Sequence, residues 1–457
     1  MPQPCASLTA LIDDASGGRL IAMAKESLAF DDCVRATCLA ERFAELEGKS
    51  VVLMAGNQLK TAAALIDLDG WARRMVICPP DLEPERLTAV MRDAQADALI
   101  YGAGAPPPGG TGGALLVPCE IPAQRRSQPS LRSQASEWVM LTSGTTGDPK
   151  LVVHTLDTLT GAIGPRRDAE PVPHWATFYD IRRYGGLQIF LRAVTARGSL
   201  TLRSHDESLD DFLARAGDAG VTHISGTPSH WRFALMSPAA RRLDPTTIRL
   251  SGEIADAAIL DALSAFYPRA RVSHAFASTE AGVAFEVDDR QAGFPAALLG
   301  ETADGVAMKL ADGALAIRSN RTALRFLGED AAALRDADGF VDTGDMIERR
   351  GERCFFMGRR GGIINVGGAK VNPEEVEAVI NQHPSVRMSL VKGRKNPITG
   401  AVVVADVVLK DAAAGSPALK DEIIRACERR LAPYKSPALV RFVTSLAVTS
   451  SGKLTRE

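Results

Sequence analysis

From Ser50 onward, short apolar runs alternate with longer stretches in which apolar positions recur at helical spacing. Val51 to Met54 reads as a buried strand; a Gly-Asn turn follows, and an Ala- and Leu-rich helix opens near Gln58. Met75 to Cys78 is a second strand, ended by Pro79-Pro80; Leu82 to Ala94 has the helical period, and Ala98 to Tyr101 is a third strand. Strands separated by helical spacers demand a parallel sheet with crossover helices, so the fold class is α/β. Further along, His154 to Leu159 reads as the start of a helix. Ser199-Leu200, Val221 to Ser225, Thr247 to Leu250 and Arg271 to Ala275 read as strands. Gly226 to Ser229 is a turn into a helix around Trp231, and a helix runs to about Phe266.

Beyond Gly300 the texture changes. Val306 to Leu310 and Leu315 to Arg318 are short strands joined by Asp312-Gly313, a hairpin signal. Phe340 to Asp345 and Cys354 to Gly358 flank an Arg-rich polar loop. Asn372 is placed to cap a helix, with Pro373 first, Glu375 third, and Val376, Val379 and Ile380 on its apolar face. Ala401 to Leu409, Pro417 to Leu431 and Val440 to Val443 then read as strand, helix and strand. This portion of about 100 residues suffices for a small α+β domain of its own, and Arg359 to Gly362, with two glycines, is the expected boundary.

The most distinctive chemistry lies at Val139 to Lys150, V-M-L-T-S-G-T-T-G-D-P-K, where an apolar run stops at small residues. Gly144 and Gly147 can take positive φ, Ser and Thr hydroxyls can donate to phosphate oxygens, and Lys150 supplies charge. It is not the G-x-x-x-x-G-K-[ST] loop, since Asp148 and Pro149 intervene, and by itself it fits either a phosphate cradle or a glycine-rich turn. The segment Ala176 to Phe190 sets Asp180, Arg182 and Arg183 among aromatics around a Gly-Gly pair, which suits a ligand wall better than a core.

Composition narrows the class. The 457 residues suggest two or three domains, and 46% hydrophobic with 24% charged content is that of a globular protein. A formal charge of -2 offers no electrostatic case for nucleic acid. Seven scattered cysteines form no C-x-x-C pair, and the histidines show no metal-ligand spacing; a reducing cytoplasm is the natural expectation. The opening M-P-Q-P-C-A-S lacks a basic region followed by an apolar run, and no stretch reads as a membrane span.

Five separated elements now stand in order: L-T-S-G-T-T-G-D-P-K at 141–150, F-A-S-T-E at 276–280, D-T-G-D at 342–345, G-R-R-G-G-I-I-N-V-G-G-A-K-V-N-P-E-E-V-E at 358–377 and S-G-K-L-T-R at 451–456. Together they resemble the adenylate-forming (AMP-binding) superfamily of acyl-CoA synthetases, peptide-synthetase adenylation domains and luciferases, over nearly the whole chain. The resemblance implies a large N-terminal adenylate-forming domain of layered α/β sheets, residues 1–359, and a small mobile α+β C-terminal domain, residues 360–457. It implies ATP-dependent, AMP-forming activation of a carboxylic acid to an acyl-adenylate, then thioester formation with CoA. The alternative is a stand-alone enzyme that loads a carrier-protein pantetheine, and a third reading is a non-catalytic nucleotide-binding protein.

By that resemblance Thr142, Ser143, Gly144, Thr145, Thr146, Gly147 and Lys150 hold the β and γ phosphates of ATP. Glu280 with Thr145 holds Mg²⁺, and Thr279 meets the α phosphate. Phe276, Ala277 and Ser278 line the nucleotide site; Asp345 and Arg359 reach the ribose and phosphate. Lys453 bridges carboxylate and α phosphate. Gly368 flanks a thiol tunnel, and Gly361 is the hinge. Two positions depart from the pattern: Gly361 replaces a charged hinge residue, and Asn365 replaces a lysine. The acid pocket is expected from Phe178 to Leu187, Gly226 to Trp231, Ser251 to Ile254 and His274 to Gly282. Its most informative residues are Asp180, Arg183, Gly186, Trp231, Ser251, Gly252 and His274. Arg183 suits an anionic group on the substrate and Asp180 an amine, and the sequence leaves both open. The short region before the phosphate loop favours a small or medium aryl or acyl acid. Monomer and homodimer both stay open.

Overall fold

The computed structural model describes residues 7–12, 17–102, 111–121, 124–125, 135–142, 149–164, 171–328, 333–396, 399–447 and 454. The elements that frame the site, numbered in chain order, begin with β1 (Glu137–Thr142) and β2 (Lys150–His154). Then come α1 (Leu156–Thr160), β3 (His174–Thr177), α2 (Tyr184–Thr195), β4 (His223–Gly226), α3 (Pro228–Ala234), β5 (Thr247–Ser251) and α4 (Ala257–Phe266). They continue with β6 (Arg271–Ser278), β7 (Gly282–Val287), β8 (Val341–Arg350) and β9 (Arg353–Arg359). The C-terminal part adds β10 (Ile364–Val366), β11 (Ala369–Val371), α5 (Pro373–Ile380), β12 (Val386–Asn396), β13 (Gly400–Leu409), α6 (Pro417–Glu428) and β14 (Leu439–Phe442).

An eight-stranded sheet runs β7-β6-β5-β4-β3, then Ser199–Leu202, Leu20–Ala22 and Ser27–Ala29. Its interior pairs are parallel and only the two edge pairs antiparallel, as helical crossovers require. On one face Ala176, Ile224, Ile248, Leu250 and Val272 pack with Phe212, Trp231 and Leu263. On the other, Trp175, Leu200 and Leu202 join Leu187, Ile189, Phe190 and Leu191 of α2. A second sheet of seven strands contains β1, β2 and the predicted strands near residues 51, 75 and 98. A third, six-stranded sheet carries β8 and β9. In the C-terminal region β12, β13 and β14 form one sheet, whose Val391, Val403, Ala405 and Val407 pack with Val376, Ile380 and Ile423 from α5 and α6. Layered α/β sheets with a smaller α+β region are thus observed.

Several local expectations are corrected. His154 closes β2 instead of opening a helix; Thr155 caps α1 with a reciprocal capping box. β6 continues through Phe276 to Ser278, because antiparallel pairing with β7 sustains it past a bulge at Phe276/Ala277. The Arg-rich segment is no loop: β8 and β9 run through it, joined at Gly351-Glu352. Asn372 does stand at the N-cap of α5, yet its side chain makes no cap bond, and Glu375 is drawn instead to Lys435 at 2.7 Å. The Asp312-Gly313 turn is as expected, with both residues at positive φ. No helix among the described residues is long and apolar enough to cross a membrane.

Candidate active site

β1 and β2 are antiparallel neighbours whose register sets Thr142 directly opposite Lys150, so the small-residue segment between them links the ends of a hairpin. Lys150 is exposed, its ammonium 5.3 Å from the Phe326 ring. Ser143, Gly144, Thr145, Thr146 and Gly147, like Lys453, lie outside the described residues.

The β6–β7 turn holds Thr279 and Glu280. Ser278 Oγ accepts from the Ala281 amide, and the Glu280 carbonyl accepts from the Ala323 amide at 2.9 Å. His154 braces the turn from the second sheet: its Nε2 donates to the Thr279 carbonyl at 2.6 Å, and Nδ1 lies 2.9 Å from Thr158 Oγ1. Burial, partly offset by the Thr279 bond, brings the His154 pKa down to about 4, so the ring is neutral at physiological pH. The half-buried Glu280 carboxylate has no hydrogen-bond or ion-pair partner among the described residues.

Beside this turn, at the carboxyl ends of β5 and β6, lies a cavity of about 110 Å³. Gly252, Glu253, His274, Phe276, Ala277, Asp345, Phe356 and Arg359 are among the residues that line it. Its apolar wall is Phe276 stacked on Phe356, centroids 5.2 Å apart and planes 9° apart, backed by Phe285 and Phe294. Its polar wall is Asp345 on β8, with Arg359 Nε 3.4 Å from the carboxylate. Arg359 is largely exposed and free to move toward a ligand. Glu253 accepts from the Ser229 amide at 2.9 Å and from the Leu454 amide at 3.1 Å. A flat aromatic wall facing a carboxylate and a guanidinium suits a planar base bearing hydroxyls and phosphate.

Of the sequence candidates, the cavity gathers Phe276, Ala277, Asp345, Arg359, Gly252 and His274, whose Nε2 contacts the Gln291 carbonyl. Ser251 stands just behind, bonded to Tyr179. Others are placed elsewhere. Trp231 does not line the pocket: it is fully buried in the core, edge-on to Phe178 and Tyr267, because its size and apolarity serve packing. Asp180 grips Arg182 through two oxygens at 2.8 and 2.7 Å, which satisfies it without a substrate amine. The Arg183 guanidinium pairs with Asp81, and its amide donates to the Asp180 carbonyl at 3.0 Å. Gly186 lies under the chain, where a Cβ would stand 2.1 Å from the Asp180 carbonyl oxygen. Gly368 sits in the β10–β11 turn, its amide bonded to Asn365 Oδ1, and Gly361 in an open turn after β9. Phe356 and Gly293 were missed; nothing in C-F-F-M-G marks which phenylalanine faces a ligand.

Comparison with known proteins agrees with this geometry. The AMP-binding enzyme family model matches residues 35–318, and that of the AMP-binding enzyme C-terminal domain matches residues 375–453. The human mitochondrial acyl-coenzyme A synthetase ACSM1 is 37% identical over 124 residues, 26% of this chain and 21% of the synthetase, so the match spans about a fifth of that relative's length. The 2-succinylbenzoate–CoA ligase of Staphylococcus epidermidis is 27% identical over 342 residues, 72% of this chain and 70% of the ligase. Among solved structures, the anthranilate CoA ligase AuaEII in complex with anthranoyl-AMP superposes with a TM-score of 0.79 at 19% identity, covering 98% of this chain and 95% of that one. A single-substitution variant of E. coli MenE with bound OSB-AMS gives 0.77 at 20% identity, covering 97% and 96%. With a family model matched over residues 35–318, and with Phe276, Asp345 and Arg359 from three of the sequence motifs lining one cavity, the chain belongs to the AMP-binding enzyme family.

Proposed function

We propose that the protein activates a small or medium carboxylic acid with ATP, forming an acyl-adenylate and pyrophosphate, and transfers the acyl group to CoA. The observation that carries this reading is the meeting of three distant segments on one cavity: Phe276-Ala277, Asp345 and Arg359, with Leu454 tied to the wall residue Glu253. In this reading the adenine lies against Phe276, Asp345 accepts from the ribose hydroxyls, and Arg359 reaches ribose and phosphate. Thr142 to Lys150 cradle the β and γ phosphates.

A carboxylate is a poor nucleophile toward a polyanion, so the site must offer more positive charge to the transition state than to the ground state. Lys453, next in sequence to Leu454, supplies an ammonium between the two reactants. No group of three or more potential metal ligands exists among the described residues, but one uncommitted carboxylate plus substrate phosphates is the usual set for Mg²⁺. Glu280, with Thr145, would hold that ion, which when bound would neutralise charge developing on the phosphates. The boundary at 359/360, with Gly361 as the hinge, allows the C-terminal part to serve two steps in turn. CoA as acceptor draws support from the relatives named as CoA ligases. Six described cysteines, all free and buried, suit a reducing cytoplasm.

Pyrophosphate release measured across a panel of carboxylic acids, with and without CoA, tests the proposal. Acid-dependent release with acyl-CoA as product is expected. Release without an acyl-CoA product would point to a carrier-protein acceptor, and no release with any acid would end the reading. Lys453→Ala is expected to lower adenylate formation by at least about 100-fold while sparing transfer from a supplied acyl-adenylate; equal loss in both assays would contradict its role.

A further inference from the structure

The eight-stranded sheet has an unusual row on the face that α2 covers. Thr177, Ser225, Arg249 and Ser273 stand side by side across β3, β4, β5 and β6. All four are buried. Parallel sheet covered by a helix is normally apolar at its centre, as is the adjacent row on the opposite face, Ala176, Ile224, Ile248 and Val272. The covering helix answers with polar residues of its own: Tyr184, Gln188 and Arg192, spaced four apart and therefore stacked along one stripe.

These groups are incompletely satisfied. Arg249 Nε donates to Glu286 at 2.9 Å, and Ser273 Oγ donates to the other Glu286 oxygen at 2.7 Å. Gln188 Nε2 donates to the Leu159 carbonyl. Yet Arg249 Nη2, Arg192 Nε, the Tyr184 hydroxyl and Gln188 Oε1 are buried with no partner among the described residues. Burial, then the neighbouring Arg249 charge, brings Arg192 down to about 10, which leaves it protonated at neutral pH. Two guanidinium charges thus face the single Glu286 carboxylate, and one positive charge stays uncompensated among the described residues. The neighbouring Arg321 is already paired with Asp304.

The row also continues the cavity. Ser251 and Ala275 pair in register two residues beyond Arg249 and Ser273, on the same face and about 7 Å along the strands, and Ala275 lines the cavity. Tyr179, bonded to Ser251, lies within electrostatic reach of both Arg249 and the cavity residue Glu253.

We propose that Arg192, Arg249 and Tyr184 form the far end of the acid pocket and bind a second carboxylate, so that the substrate is a dicarboxylic acid activated at one end and anchored at the other. The inference rests on the adenylation reading above. A carboxylate there takes three donors and cancels the spare charge, whereas water supplies a hydrogen bond but no counter-charge. The acceptor Gln188 Oε1 is left for a bridging water.

The test is ATP–pyrophosphate exchange with succinate, glutarate, adipate and phthalate against butyrate, valerate, hexanoate and benzoate. In the wild-type protein the best diacid is expected to exceed its monoacid partner in kcat/KM by about 100-fold. Arg192→Leu should bring that ratio near unity without lowering the melting temperature, since it removes an unpaired charge and not a structural ion pair. Tyr184→Phe, which removes only a hydroxyl, should lower the ratio about tenfold. Exchange with monoacids equal to or above diacids, or a ratio unmoved by Arg192→Leu, overturns the proposal and leaves adenylation standing. Absence of exchange with every acid overturns the adenylation reading. The subsite is then judged by thermal shift: a wild-type melting temperature unmoved by any of the four diacids overturns it as well.

Discussion

At the level of single residues, the glycines separate packing from motion. Gly186 is helical, where alanine would ordinarily stabilise by nearly 1 kcal/mol. Here its Cβ would lie 2.1 Å from the Asp180 carbonyl oxygen, so Gly186→Ala is expected to destabilise by roughly 2 kcal/mol or more in denaturant titration. Gly361 has nothing within 4 Å of a Cβ, and Gly361→Ala should leave the midpoint unchanged. His154 gives a pH signature. Above its usual value of 6.5 the imidazole is neutral whether the chain is folded or unfolded; between 6.5 and about 4 only the unfolded ring takes a proton. Its contribution of roughly 3 kcal/mol is therefore complete above the unfolded value and lost as pH falls through the folded one. Thermal melts should show that loss, and His154→Gln should flatten it. Glu280, Asp345 and Arg359 stood out in the sequence because each sits in a motif that resembles the family's, and the cavity gathers two of them, Asp345 and Arg359. Trp231, expected in the pocket, fills the core instead, and Asp180 is held by Arg182, because side-chain identity does not reveal whether an aromatic packs inside or a charge already has a partner.

At the level of elements, pattern and turn chemistry carried most of what could be read. Alternating strand and helix periods foretold the parallel sheet, and Asp312-Gly313 foretold its hairpin. The extension of β6 through Phe276-Ala277-Ser278 was hidden, because small polar residues look like a turn until β7 pairs with them. The same blindness applied to β8 and β9, whose arginines read as loop until cross-strand pairing is known. Caps were legible as positions but not as bonds. Thr227 accepts from the His230 amide within a capping box, whereas Asn372 leaves its Oδ1 unpartnered. Thr227→Ala should therefore cost about 1 kcal/mol, and Asn372→Ala clearly less, as chemical denaturation of the two variants would show.

At the level of the whole molecule, the C-terminal part meets the large sheet region through few groups. Leu454 joins Met388, Leu390, Val408 and Leu446 in a small apolar cluster against Phe233, and Asn381 donates to Asp256 at 3.1 Å. These contacts combine one small apolar cluster with a few polar bonds, a surface of modest size. Leu454→Asp is expected to weaken the cluster, lowering pyrophosphate exchange at least tenfold while the melting temperature shifts by only a few degrees. None of these contacts could be foreseen, since Asn381 and Asp256, for example, lie 125 positions apart.

Glu253 clasps two amides with one side chain, Ser229 at the start of α3 and Leu454 next to Lys453 in sequence, while forming part of the cavity wall. Whatever fills that cavity competes for the same oxygens. An occupant that draws Glu253 aside would break its bonds to the Ser229 and Leu454 amides in the same event, so filling the cavity and loosening Leu454 are linked through one side chain.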